Sequence, residues 1–344
     1  MSRPLSTARA MYRLISCLTA LWLTACVLSG CVGSTVADLP AERAKAVTTG
    51  DFVLPDGVRV PYRAWLADGW QDAPPKAVVL ALHGMNDSRD AWEYPAPEFA
   101  RAGIAVFAPD QRGFGATDAR GYWSDGDTMA HDARAMAEQL RERYPHSKLI
   151  LMGESMGAAV LMVLAAEPDP PPVDGYVLIA PAVWGRAEMN AFLRAGLWLF
   201  SHTMPGMKAN GAGFVRVKAS DNREAIRRLS NDPLTIHGAR WDVVRGLVDL
   251  MDEALASAQR FNAPALFMYG GHDELIPPKA TAATWRALPA GSRQAFYPEG
   301  YHLLLRDMDR ITPIEDVMAW IMDHDTALPS GADRAAAEWL AKQE

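Results

Sequence analysis

Gly153-Glu154-Ser155-Met156-Gly157 sets a serine between two glycines, directly after the apolar run Leu149–Met152 and before a small-residue stretch of helical character. Strand, tight turn and helix in that order lift a hydroxyl to a sharp corner, the placement a nucleophilic serine needs. The glycines are steric, because a Cβ on either side of the serine would collide across the turn. The helix opening at Met156 points its N-terminus at developing negative charge. The predicted chemistry is acyl transfer through a covalent intermediate, with Ser155 as nucleophile.

A serine hydroxyl needs a base, and the base needs an orienting acid. Elbows of this kind take their partners in the chain order Ser, acid, His. Five histidines follow Ser155: His202, His237, His272, His302 and His324. His302 stands in Glu299-Gly300-Tyr301-His302, just past the last predicted strand, and is the expected base. His202 and His237 fall in an insertion, His272 precedes an acid by one residue, and His324 is placed on an exposed terminal helix. Asp273 ends the strand Ala263–Tyr269 and is the expected acid, with Glu274 as its local rival. The oxyanion is expected to meet the Met156 N–H and the Met85 N–H of His83-Gly84-Met85, each contributing on the order of 3 kcal/mol. His83 itself reads as a structural residue of that turn.

The elements that must position these groups alternate along the chain. Asp51–Leu66 reads as a hairpin around Asp56-Gly57 with a type I′ turn. The run that Lys76 opens is apolar from Ala77 to Leu82, as a strand covered on both faces should be. Ile104–Pro109, Lys148–Gly153 and Tyr176–Ala180 read as further strands, separated by helices over Thr128–Tyr144 and Met156–Glu167. Strand and helix in turn predict a mostly parallel sheet with helices on both faces, its carboxyl-end loops gathered on one edge. The alternation breaks over about 183–262, a helical, Phe-, Leu-, Trp- and Met-bearing stretch expected to form a cap over that edge. The hydrolase body is expected over 51–326 and a tail helix over 327–344.

His83-Gly84, Asp110-Gln111-Arg112-Gly113-x-Gly115, Gly153-x-Ser155-Met156-Gly157, Gly271-x-Asp273 and Gly300-x-His302, in that order, resemble the α/β-hydrolase fold. They resemble most its monoacylglycerol lipase and lysophospholipase branch, the serine aminopeptidase S33 group, over about Asp51–Asp323. The resemblance implies hydrolysis of carboxylic esters of monoacyl lipids, either lysophospholipid or monoacylglycerol. It implies that Asp110–Gly115 is a structural turn and not a phosphate cradle. Members often carry His where this chain has Glu154. General carboxylesterase, thioesterase and serine aminopeptidase activities share the same triad. A non-catalytic envelope lipoprotein is the alternative from another class. Epoxide hydrolases and haloalkane dehalogenases use Asp as nucleophile, so Ser155 argues against both.

The 344 residues suffice for a large core, and 49% apolar with 22% charged residues describes a globular body. A net charge of -7 with no long basic run argues against nucleic acid as partner. No His pair stands at ligand spacing in a credible cluster, and the chemistry calls for neither metal nor cofactor. Arg3, Arg9 and Arg13 precede the apolar run Leu14–Leu28, with no acid before Asp38, which reads as a secretory signal over 1–31. An uncleaved anchor is the alternative. Leu28-Ser29-Gly30-Cys31 resembles a bacterial lipobox, which implies acylation of Cys31, with Cys26 in Leu23-Thr24-Ala25-Cys26 as the competing site. Cys17 follows Arg13 too closely to leave an apolar region before it. No cysteine follows Cys31, so the processed chain holds no internal disulfide. Residues 32–50 read as a tether. A lipid-anchored protein of the bacterial envelope is the expectation.

Overall fold

A computed structural model describes residues 47–209 and 217–343. The expected signal, Cys31 and Cys26, and most of the tether lie outside the described residues. Eight strands form one sheet: β1 (Val47–Val53), β2 (Arg59–Trp65), β3 (Ala77–Leu82), β4 (Ile104–Pro109), β5 (Lys148–Glu154), β6 (Gly175–Ile179), β7 (Ala265–Gly270) and β8 (Arg293–Tyr297). Their spatial order is β1-β2-β4-β3-β5-β6-β7-β8. β1 and β2 run antiparallel, and β2 is antiparallel to β4; every pair from β4 to β8 is parallel.

Nine helices accompany the sheet among the described residues: α1 (Ala96–Arg101), α2 (Gly126–Arg143), α3 (Met156–Ala165), α4 (Ala191–Thr203), α5 (Arg223–Asn231), α6 (Trp241–Ser257), α7 (Pro278–Ala287), α8 (Ile311–Met322) and α9 (Ala332–Ala341). Period-two alternation sorts the central strands onto two cores. Val78, Leu80 and Leu82 of β3 pack on one face with α2, α3 and α6, while Ala77, Val79 and Ala81 pack on the other with α1 and α8. Both faces of β3 and β4 are therefore buried, which explains their unbroken apolar runs.

Five expectations are corrected. β1 begins at Val47, paired with Trp65, so the structured body starts inside the expected tether. The hairpin turn is not type I′. Gly57 N–H donates to Leu54 O and only Gly57 has positive φ there, so Leu54-Pro55-Asp56-Gly57 is a type I turn closed by a left-handed glycine. Type I′ needs positive φ at both central residues, and the ring of Pro55 forbids it. The cap is shorter than 183–262. α6 buries Val248, Leu250, Met251 and Ala254 in the main core, as the crossover helix between the parallel neighbours β6 and β7. The expected tail helix forms as α9, but it belongs to the hydrolase body, which therefore does not end at 326: Trp339 stacks on Phe296 at 5.0 Å and Ala336 is buried. His324 lies just beyond α8, half-buried and stacked on Trp320 at 4.2 Å, not on an exposed helix.

Candidate active site

Ser155 sits between β5 and α3 with φ 53° and ψ -113°, a conformation L-residues rarely adopt. The surrounding structure holds it there. Its N–H donates to Ile179 O at 2.9 Å, and its carbonyl accepts from Ala182 N at 3.1 Å and Ala159 N at 3.0 Å. A Cβ at Gly153 would lie 2.5 Å from Ala158 N, and one at Gly157 would lie 2.4 Å from Leu82 O. Both glycines are thus required by backbone contact, as the sequence predicts.

The loop after β3 lies against this elbow, since a Cβ on Gly84 would be 3.4 Å from Ser155 Cβ. Met85 follows at a turn closed by Asp87 N–H to Gly84 O. Neither the Met85 nor the Met156 N–H has a partner among the described residues. His83 is fixed by two bonds: its Nε2 accepts from Gln111 N at 3.0 Å, so Nδ1 carries the proton and donates to Gly84 O at 2.8 Å. That makes it a brace between the β3 and β4 loops. Asp110 is fully committed, accepting from Arg89 and from Ala116 N, and a Cβ on Gly115 would strike its carboxylate.

The β7 and β8 loops are stitched to each other. Gly271 N–H donates to Tyr297 O and His272 N–H to Gly300 O, both at 2.8 Å. This stitching brings Asp273 and His302 together: Asp273 Oδ2 accepts from His302 Nδ1 at 2.8 Å, while Oδ1 accepts from the N–H groups of Leu275 and Ile276. A carboxylate acceptor fixes the proton on Nδ1 and leaves Nε2 as the basic nitrogen. His302 is 2% exposed. Burial pushes its pKa down, but the charge and hydrogen bond of Asp273, joined by the charge of Glu154, outweigh it and leave the pKa above the ordinary value. No hydrogen bond joins Ser155 Oγ to His302 among the described residues; such contacts tighten when substrate binds. Glu274 turns away to accept from Lys218 N–H, and His272 packs on Tyr301. His202 stacks on Trp198 in the cap.

Sequence reasoning missed the charges behind the elbow. Arg306, Asp87 and Glu154 are all buried, and Arg306 Nη2 pairs with Glu154 Oε1 and with Asp87 Oδ2 at 2.8 Å. The signal available was a glutamate closing the strand just after the apolar run Leu149–Met152, where a buried charge needs a partner.

The sequence model of the serine aminopeptidase S33 family matches residues 73–309, a span holding every one of these groups. The chain belongs to that family. The chain's own eight-stranded, mostly parallel sheet is that of the α/β-hydrolase fold. Among its relatives is the monoacylglycerol lipase of Mycolicibacterium smegmatis, 26% identical over 271 residues, covering 78% of this chain and 94% of that protein. The monoglyceride lipase of Rattus norvegicus is 24% identical over 279 residues, 78% of this chain and 89% of that one. Among solved structures, a soluble variant of monoglyceride lipase from Saccharomyces cerevisiae, in complex with a substrate analogue, matches with a TM-score of 0.67. It is 21% identical, covering 81% of this chain and 95% of that one.

Proposed function

We propose that this S33-family protein is a serine ester hydrolase that cleaves monoacyl lipids, with Ser155 as nucleophile, His302 as base and Asp273 as its orienting acid. The observation that carries it is the buried Asp273–His302 pair at the edge where the strained Ser155 is presented. In the first half-reaction His302 Nε2 takes the Ser155 proton as Oγ bonds the ester carbonyl carbon. The oxyanion is met by the N–H groups of Met85 and Met156. Collapse breaks the ester bond, and His302 returns the proton to the departing alcohol. Water, deprotonated by the same nitrogen, then releases the fatty acid and restores Ser155.

The substrate class rests on the relatives named monoacylglycerol lipase and on the cap. Phe192, Leu193, Trp198 and Leu199 of α4 face solvent, an apolar surface suited to meeting acyl chains. An aminopeptidase needs an ionised carboxylate free to hold the substrate's α-ammonium near the serine. Glu154, next to Ser155, is buried and spent on Arg306. The test is a panel of monoacylglycerol, lysophosphatidylcholine, short p-nitrophenyl esters and aminoacyl anilides, with a fluorophosphonate label as active-site reporter. Monoacyl lipids of medium to long chain should be cleaved best, and labelling should vanish in Ser155→Ala. A folded wild type that takes no label would sink the reading, and faster turnover of anilides than esters would redirect it to a peptidase.

The proposal extends to location. Acylation of Cys31, with Cys26 as the alternative site, would hold the enzyme at a bacterial membrane among lipid substrates at high effective concentration. Globomycin should block processing and Cys31→Ser should move the protein to the soluble fraction. A shift with Cys26→Ser alone would move the site.

A further inference from the structure

Three separate loops must keep register for this chemistry: the β3 loop with Met85, the elbow with Ser155, and the β8 loop with His302. One side chain touches all three. Arg306 lies on the His302 loop, four positions beyond the base, in a 3-10 turn whose N–H bonds Leu303 O. Its Nη2 reaches Glu154, the residue before the nucleophile, and Asp87, two residues beyond Met85. Its own carbonyl accepts from Asn222 Nδ2 at 2.9 Å, so the loop is held from behind as well. All three charged side chains are at most 7% exposed.

We propose that Arg306 is a positioning residue for ester hydrolysis, fastening the oxyanion loop, the nucleophile elbow and the base loop through Asp87 and Glu154. The proposal rests on the hydrolase reading above. Its physical content is alignment: a buried cation with two carboxylates on different loops fixes their separation, and an error of about 1 Å at the reacting atoms can cost on the order of 10²-fold in rate. Glu154 supplies one of the two carboxylates, so the fastener at the elbow is ionic. A guanidinium shared by two carboxylates also leaves one net negative charge behind His302. The charges acting on that imidazole are Asp273 on the β7 loop, Glu154 at the elbow and Arg306 on its own loop. Glu154 and Arg306 therefore pull its proton affinity in opposite directions.

The test compares Arg306→Met, Arg306→Lys and Glu154→Gln with the wild type, using a short p-nitrophenyl ester that makes little use of the cap. The readouts are kcat, KM and the acid limb of the pH profile of kcat/KM. Arg306→Met should lower kcat by about 10²-fold with KM changed less than about threefold, since the loss is alignment and not substrate contact. Arg306→Lys should recover part of that loss, because a single nitrogen makes both contacts. The acid limb should move to lower pH in Glu154→Gln and to higher pH in Arg306→Met, and stay in place in Arg306→Lys. A purely structural role would lower the melting temperature without moving that limb in opposite senses. If Arg306→Met does not fold, the near-isosteric Glu154→Gln and the Lys variant carry the decision. A folded Arg306→Met within threefold of wild-type kcat, or a limb unmoved in Glu154→Gln, overturns the proposal. A wild type without Ser155-dependent hydrolysis sinks the hydrolase reading, which the fluorophosphonate label detects separately.

Discussion

The sheet edge and the cap are built to opposite tolerances. At the edge, strands β3 to β7 are buried on both faces, and the loops they carry are pinned by backbone contacts that leave no room for a methyl group. In the cap, α4 buries only Leu197 and Ser201, and Phe192 and Trp198 stand 85% and 62% exposed. Transition-state stabilisation depends on donors placed within a few tenths of an ångström, so the proposed chemistry calls for a site where packing over-determines position. Holding an acyl chain needs only apolar area, which is non-directional and survives small shifts. The difference explains why one strained serine can be maintained at the edge, while the cap is left with apolar surface unburied.

The largest effect that should separate the two regions is loss of chemistry without loss of fold. Ser155→Ala should lower kcat by at least about 10³-fold, and Asp273→Asn by 10²-fold or more, because the wrong imidazole tautomer is then presented to the serine. Melting temperatures should stay near wild type in Ser155→Ala, since removing one hydroxyl relieves no packing. Retention of activity in Asp273→Asn, measured on the short ester, would hand the acid's role to another carboxylate.

Glycines give the next contrast. In Gly157→Ala the new methyl meets Leu82 O at 2.4 Å, and the strand and helix must part to admit it. A loss of about 2–3 kcal/mol in denaturant unfolding is expected, together with loss of activity. Gly196 in α4 has nothing within 4 Å of such a methyl, so Gly196→Ala should gain up to about 1 kcal/mol through helix propensity. Equal effects at the two sites would erase the distinction. A smaller change is expected when cap residues become polar. Phe192→Ser with Trp198→Ser should lower kcat/KM for long-chain monoacyl esters by about tenfold while a short ester is cleaved as before. Parallel losses on both substrates would mean that the cap shapes the chemistry as well as selecting for it.

These regions also differ in how far the sequence discloses them. The turns that carry Ser155, Asp273 and His302, and the Asp273–His302 pairing, are legible because each turn follows a strand and turn chemistry is local. The parallel sheet was legible from alternation alone. Sequence alone does not part the crossover helix α6 from the cap, because its apolar content matches either role; only the demand that β6 and β7 run parallel assigns it to the core. Asp56-Gly57 suggests a type I′ turn, but Pro55 before it decides for type I. Arg306 was invisible because its partner Glu154 lies 152 positions away, and no local rule reaches that far.

The seam between the regions supplies the finest test. Ser220, where the chain returns from the cap, donates to Asp307 Oδ1 at 2.6 Å, and Tyr301 N–H, next to His302, donates to Oδ2 at 2.8 Å. Burial raises the Asp307 pKa to about 6 against these two donors, with Asp221 adding to the rise. The sign follows from proton counting. Between its ordinary value of 3.8 and about 6 the folded protein holds a proton on Asp307 that the unfolded chain has released. This group therefore favours the fold most at low pH, and its contribution declines as pH rises through that window and is level above it. Carboxylates held low by partners, such as Asp242 beside Arg240, slope the other way, so the wild-type curve alone is ambiguous. The decisive quantity is the melting temperature of Asp307→Asn minus that of wild type. It should climb by a few degrees from pH 4 to pH 6.5 and then flatten, because the variant lacks the proton that the wild type loses. A flat difference across the window would mean that Asp307 titrates as an ordinary surface carboxylate and that the seam is held by its other bonds, Leu303 N–H to Ala219 O and Asn222 to the Arg306 carbonyl.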